Sequence, residues 1–474
     1  MSNKTAKIGL FGIGLDTYWP QFPELKGRLE GYLSEIAAKL TLFNPEVVNL
    51  GLVDTVDKAF EAGSTFRREE VSIIFLHAST YALSSTVFPV VRQAKVPIII
   101  LNLTPEAAID YNAFNAMGDR TKMTGEWLAY CSACPVPEIA SVFNRASIAF
   151  HEVTGMLHEE TCWNEVREWV EAAKVAHTMF YNRLGCMGHY YSGMLDIYAD
   201  LTQQYAYFGG HIEIIEVDEL SALRKNVSAT EIADRVKRFY ECFDVQPDCA
   251  KAELERAART SVALDRLMDH YQLGSMAYYY KGTGTENADT MSSIILGTSL
   301  LTARHIPVAG EYEIKNVQAM KILDSFGAGG SFTEYYAVDF HDDIVLMGHD
   351  GPGHICIAEG KIKVRPLHVY HGKVGEGLSV EMSVKNGPVT LLAVVQRKSG
   401  ELSFLVAEAE SVAGPILEIG NSNSRYRFPI GAKNFINSWN KQGPAHHCAV
   451  AVGHIAAKIE KLGHLLGMET VIVC

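Results

Sequence analysis

Apolar runs of strand length alternate with helix-like stretches through the first hundred residues. The runs lie at 7–14, 46–53, 71–77 and 96–103, and the stretches between them at 24–40, 56–70 and 84–94. Strands apolar on both faces and separated by helices imply a parallel sheet covered on both sides, a Rossmann-like or flavodoxin-like arrangement. Residues 138–174 read as two helices. A second series follows, with strands at 178–182, 211–217 and 275–281 and helices at 194–207, 229–243, 250–271, 289–304 and 314–326. After Gly327 the pattern changes to short alternating segments rich in β-branched residues, at 344–347, 361–366, 389–395 and 402–409. Turn signals such as Asn386-Gly387-Pro388 and Lys398-Ser399-Gly400 divide them. This reads as an antiparallel sheet or barrel, closed by one helix over 446–466. The expected fold is α/β: two Rossmann-like (flavodoxin-like) parallel-sheet domains, 1–175 and 176–327, then a C-terminal antiparallel β-barrel domain, 328–474.

The chain has 474 residues, too many for one ordinary core, which agrees with several domains. A composition of 48% hydrophobic and 20% charged residues is that of a soluble globular protein. The net charge of -13, with no dense Lys/Arg run, argues against nucleic acid or an anionic membrane as partner. The opening residues show no secretory pattern, and the most apolar stretch, 96–103, is too short to span a bilayer, so a cytoplasmic location is expected. Nine cysteines without framework spacing fit reduced thiols. Cys131 and Cys134 form a single C-x-x-C; with no second pair nearby, two thiols near a helix or loop is the plainer reading than a zinc or redox site.

Candidate chemistry gathers in the C-terminal half. Glu311 follows Ala309-Gly310, and Glu334 follows Gly329-Gly330-Ser331-Phe332-Thr333. His349 lies in Met347-Gly348-His349-Asp350-Gly351, and His446 and His447 stand just before the expected last helix. Each alone reads as a solvated carboxylate, a hydrogen-bonded histidine or a cap. Together they offer two carboxylates and two imidazoles, a mixed oxygen and nitrogen set suited to Mn²⁺, Co²⁺ or Mg²⁺ rather than to a thiolate zinc site. Gly9, Gly12 and Gly14 follow the first strand but lack the G-x-G-x-x-G order of a dinucleotide site.

Val308-Ala309-Gly310-Glu311, Gly329-Gly330-Ser331-Phe332-Thr333-Glu334-Tyr335, Leu346-Met347-Gly348-His349 and Ala445-His446-His447 resemble, in order and interval, the metal-site segments of the L-arabinose isomerases. Asn386-Gly387-Pro388-Val389 is similar to that family's Thr-Gly-Pro segment. The likeness is good from about residue 260 onward and traceable from about 178. It implies that Glu311, Glu334, His349 and His447 bind a divalent metal such as Mn²⁺, with Glu311 and Glu334 also catalytic. Met187, His189 and His446 are implied as sugar contacts. The implied reaction is aldose–ketose isomerisation, L-arabinose to L-ribulose, with D-galactose to D-tagatose as a second conversion, by a homo-oligomer, a hexamer by resemblance. The N-terminal third departs from the family: Gly14-Leu15-Asp16-Thr17-Tyr18-Trp19 stands where Ser-Gln-His-Leu-Tyr-Gly is usual, and the stretch near Cys131 to Glu138 lacks the family's histidine. Another aldose, such as L-fucose, is therefore an alternative substrate, and a non-catalytic sugar-binding protein is the alternative from a different class.

Overall fold

The computed structural model describes residues 5–367, 369–370, 373–374 and 377–474. The chain divides into two compact units, Met1–His177 and Thr178–Cys474.

The first unit is built on a parallel sheet in the order Val47–Val53, Ile8–Ile13, Ile73–His77, Ile98–Thr104, Phe150–Met156. Its inner strands are wholly buried, as their unbroken apolar runs require. The helix Pro23–Phe43 buries Leu25, Leu29, Leu33, Ile36 and Leu40, spaced three and four apart along one face. Thr55 caps the helix Val56–Arg68 by accepting from the Lys58 amide. The fifth strand lies where two helices were expected. It is an edge strand whose His151, Glu152 and Thr154 thin out the apolar signal, and only Val153 is buried.

The second unit opens with a parallel sheet in the order Val308–Ala309, Ser275–Tyr278, Arg183–Met187, His211–Ile215. Residues 178–182 are not the expected strand. The helix Glu160–Tyr181 occupies nearly all of them, and the strand is the next segment, Arg183–Met187. The helix expected at 194–207 is shortened to Leu201–Phe208, capped by Asp200, and that at 289–304 is broken into Gly284–Met291 and Ile295–Thr302.

The C-terminal part is a separate sheet, antiparallel but for one strand. Ser331–Asp339 pairs with Ile344–His349 on one side and with His447–Val452 on the other. Gly387–Gln396 pairs with both His447–Val452 and Leu402–Ser411. Ser422–Arg427 pairs with Ile344–His349 and, at its end, with Leu402–Ser411, while Glu469–Ile472 joins Leu402–Ser411 in parallel. The expected last helix is in fact this strand His447–Val452 followed by the helix Ala456–Leu466. Cys-Ala-Val-Ala-Val suits a pleated, buried strand as well as a helix, and Gly453, at φ 91°, breaks the chain between them. One apolar cluster runs from Met187 and Leu264 through Tyr278 to Leu391 and Val450. Cys131 and Cys134, read as separate thiols, are joined in a disulfide, and the other seven cysteines are free.

Candidate active site

The parallel sheet and the antiparallel sheet of the second unit each present acidic residues at one place. Glu311 leaves the short strand Val308–Ala309 at its C-terminal end, where open parallel sheets bind ligands. It adopts a left-handed backbone, φ 56°, as does Tyr312, φ 60°. Side-chain-bearing residues there cost about 1–3 kcal/mol each and persist where their surroundings hold them. The Tyr312 amide donates to the Tyr278 carbonyl, 2.9 Å, and the Glu313 amide to the Gly310 carbonyl, 3.1 Å, which fixes the turn. Glu313 then stands as the N-cap of the helix Ile314–Ser325.

Glu334 lies directly opposite His447 on the neighbouring strand, so the two side chains share one face of the sheet. On its other side Glu334 is opposite Gly348, and His349 ends that strand. Gly348 is required there: a Cβ would fall 1.8 Å from the Ser422 carbonyl oxygen. Phe332, two residues before Glu334, packs its ring 4.3 Å from the His349 ring and 4.4 Å from that of His447.

These placements bring the sequence-picked residues together. His349 Nε2 and His447 Nε2 are 3.2 Å apart, and Glu311 Oε2 lies 3.4 Å from His447 Nε2. Glu311, His446 and His447 present ligand atoms within 4.8 Å of one another, and so do Glu334, His349 and His447. His446 is turned outward, its Nδ1 2.6 Å from Asp196 Oδ2 and its Nε2 3.9 Å from Glu334 Oε2. Met187 and His189 belong to neither group. The Met187 side chain is fully buried in the apolar cluster, and His189 is exposed, its ring 4.3 Å from Tyr279.

Burial pushes the Glu311 carboxyl up to about 7; the charges of Glu334, Glu313 and Asp350 push the same way and that of His446 opposes them. Burial likewise raises Glu334, again with Asp350 adding and His446 opposing. His447 is held well below the ordinary histidine range by burial, so its ring is neutral and carries a lone pair.

Two residues that sequence reasoning missed complete the setting. Glu313 is wholly buried, neither carboxylate oxygen has a hydrogen-bond partner, and Oε2 lies 3.6 Å from His447 Nδ1. Burial raises it to about 7, opposed chiefly by Lys315, whose ammonium is 3.9 Å away. Lys315, itself buried, donates to the Asp196 and Tyr198 carbonyls. Glu313 was in plain sight two residues after Glu311, but nothing in the sequence told it from a solvated helix cap. Asp196 sits in a loop with no motif around it.

The donor set fits a divalent cation. Buried carboxylates crowd one another with too little positive charge among them, and a neutral imidazole faces the same point. Each group sets one carboxylate oxygen beside two imidazole nitrogens, a mixed set that suits Mn²⁺ or a similar ion, and Glu313 lies behind His447, where a carboxylate can orient a ligating histidine.

No family model matches the chain. Among curated proteins, it is similar to one named L-arabinose isomerase from a Nocardioides species, at 23% identity over 356 residues, which covers 71% of this chain and 68% of that one.

Proposed function

We propose that this chain, a distant relative of the L-arabinose isomerases, is a divalent-metal-dependent aldose–ketose isomerase. The observation that carries the reading is two carboxylate–imidazole groups that share His447, one of Glu311 with His446 and His447 and one of Glu334 with His349 and His447. Glu311, Glu334, His349 and His447 hold the metal, with Mn²⁺ the first choice, and His189 and His446 border the sugar. The pairing series in which Gly387–Gln396 meets both neighbours is read as a barrel, following the domain that ends near 327.

The C2 proton of an aldose is a weak acid, and its removal places charge on O1 and O2. When bound, a divalent cation stabilises that enediolate charge. Of the two glutamates, one carboxylate takes the proton from C2 and returns it to C1. The other, kept protonated by its buried setting, gives a proton to O1 and recovers one from O2. The atoms balance and the product is the 2-ketose. A carboxyl raised to about 7, as Glu311 is, is present in both forms at neutral pH, which either task requires.

The substrate is read as L-arabinose, with D-galactose, L-fucose and other aldoses as alternatives because the N-terminal segments depart from the family. A cytoplasmic homo-oligomer, hexameric by resemblance, is the accompanying expectation; no helix among the described residues is long and apolar enough to cross a membrane. The deciding experiment strips the protein with EDTA, restores Mn²⁺, and measures ketose from a panel of pentoses and hexoses. Metal-dependent ketose from L-arabinose is expected. A different best substrate moves the enzyme to that sugar. No product from any sugar, with no metal retained, overturns the reading in favour of a sugar-binding protein.

A further inference from the structure

The disulfide lies far in sequence from the residues just described, in the first unit, and the isomerase reading makes no use of it. Cys131 and Cys134 are 5.6 Å apart at their Cα atoms, in the turn between the helices Arg120–Ala129 and Val136–Arg145. Cys131 is buried, at 3% exposure, whereas Cys134 is exposed. The bond closes a ring over only four residues, so it removes less chain entropy than a bridge between distant segments would. A staple for the fold would span more chain. What this pair has instead is access: one of the two cysteines is exposed, and its partner is buried beside it within bonding reach.

The turn is also tied to one edge of the first sheet. The Thr80 hydroxyl donates to the Leu128 carbonyl, 2.8 Å, just before the turn. Just after it, Glu138 accepts from the Ser84 amide, 2.8 Å, and the Tyr81 hydroxyl, 3.3 Å. Residues 78–84 are the segment that leaves the strand Ile73–His77, so both flanks of the turn grip the C-terminal edge of the first parallel sheet.

We propose that Cys131 and Cys134 are a reversible dithiol–disulfide site, exchanged through Cys134 with small-molecule thiols and disulfides of the glutathione class. In the oxidising direction, the Cys134 thiolate attacks one sulfur of the small disulfide and expels the first thiol. Cys131, as thiolate, then attacks the Cys134 sulfur of the mixed disulfide, expels the second thiol and closes the intrachain bond. One dithiol and one disulfide give one intrachain disulfide and two thiols, with the dithiol oxidised and the small disulfide reduced; reduction runs the same steps backwards.

The test equilibrates the full chain in graded mixtures of reduced and oxidised glutathione, quenches in acid, alkylates free thiols and weighs the peptide carrying residues 131–134. The expected result is a passage from doubly alkylated peptide to the intrachain disulfide as the mixture becomes more oxidising, reversed by returning to reduced glutathione. Cys131→Ser should stop at a glutathione adduct on Cys134, and Cys134→Ser should leave Cys131 alkylatable and without adduct. A peptide that stays fully alkylated in every mixture, or one that stays disulfide-bonded in every mixture, overturns the proposal. So does an adduct that forms on Cys131 rather than Cys134.

Discussion

Glu311 and Glu313 are two positions apart and have different tasks, which a pair of isosteric substitutions separates. Glu311 offers its carboxylate to the shared point with His447 Nε2, whereas Glu313 faces the other ring nitrogen, Nδ1. A carboxylate behind a ligating imidazole sets which nitrogen carries the proton and how the ring is aimed, and its loss typically costs about 10–100-fold in metal affinity. Glu313→Gln is therefore expected to weaken Mn²⁺ binding by about that factor in a calorimetric titration of the stripped protein. Glu311→Gln removes a proton carrier and should lower kcat by about 10²–10⁴-fold in the ketose assay even at saturating Mn²⁺. If Glu313→Gln binds Mn²⁺ as tightly as the native chain, Glu313 is a helix cap and nothing more. At this scale the sequence was informative wherever glycine-marked motifs surrounded the residue. It was silent on Glu313, because burial and a 3.6 Å approach to His447 come from the packing of a helix against a strand distant in sequence.

The elements carrying the site were read unevenly, and the reason is how each buries its faces. The inner strands of the first sheet are apolar on both sides and were legible; the edge strand Phe150–Met156, polar at alternate positions, was not. His447 was placed at a helix start, yet it stands on a strand, and only that strand sets it opposite Glu334. Gly348 tests the same element from its neighbour. A methyl group there collides with the backbone of the strand Ser422–Arg427, and such overpacking costs about 1–3 kcal/mol. Gly348→Ala is expected to lower the unfolding free energy by an amount in that range, read as a lower urea midpoint at unchanged slope, and to weaken Mn²⁺ binding because His349 moves with the strand. Gly31→Ala is the control. It lies within the helix Pro23–Phe43 with open space where its Cβ would go, and should stabilise by up to about 1 kcal/mol. An unchanged Mn²⁺ affinity in Gly348→Ala would separate His349 from the site.

For the whole molecule, the four motifs lie between positions 308 and 447, and nothing in their spacing states that they meet in space. The resemblance carried that step, and the fold supplies the physical means: a sheet edge brings Glu311, and two strand pairings bring Glu334, His349 and His447. All of these, with Asp196 and Glu313, belong to Thr178–Cys474, and each unit has an apolar core of its own. The fragment 178–474 is therefore expected to fold and to bind Mn²⁺ with an affinity like that of the full chain. A ligand at about 100 times its Kd adds about 2.7 kcal/mol to the folded state that binds it. Heating the EDTA-treated fragments with and without Mn²⁺ should thus raise the melting temperature of 178–474 by several degrees and leave that of 1–177 where it was. Stabilisation of the full chain without stabilisation of 178–474 would mean that the first unit contributes a ligand. The set of Glu311, Glu334, His349 and His447 would then be incomplete, whatever its geometry within one unit.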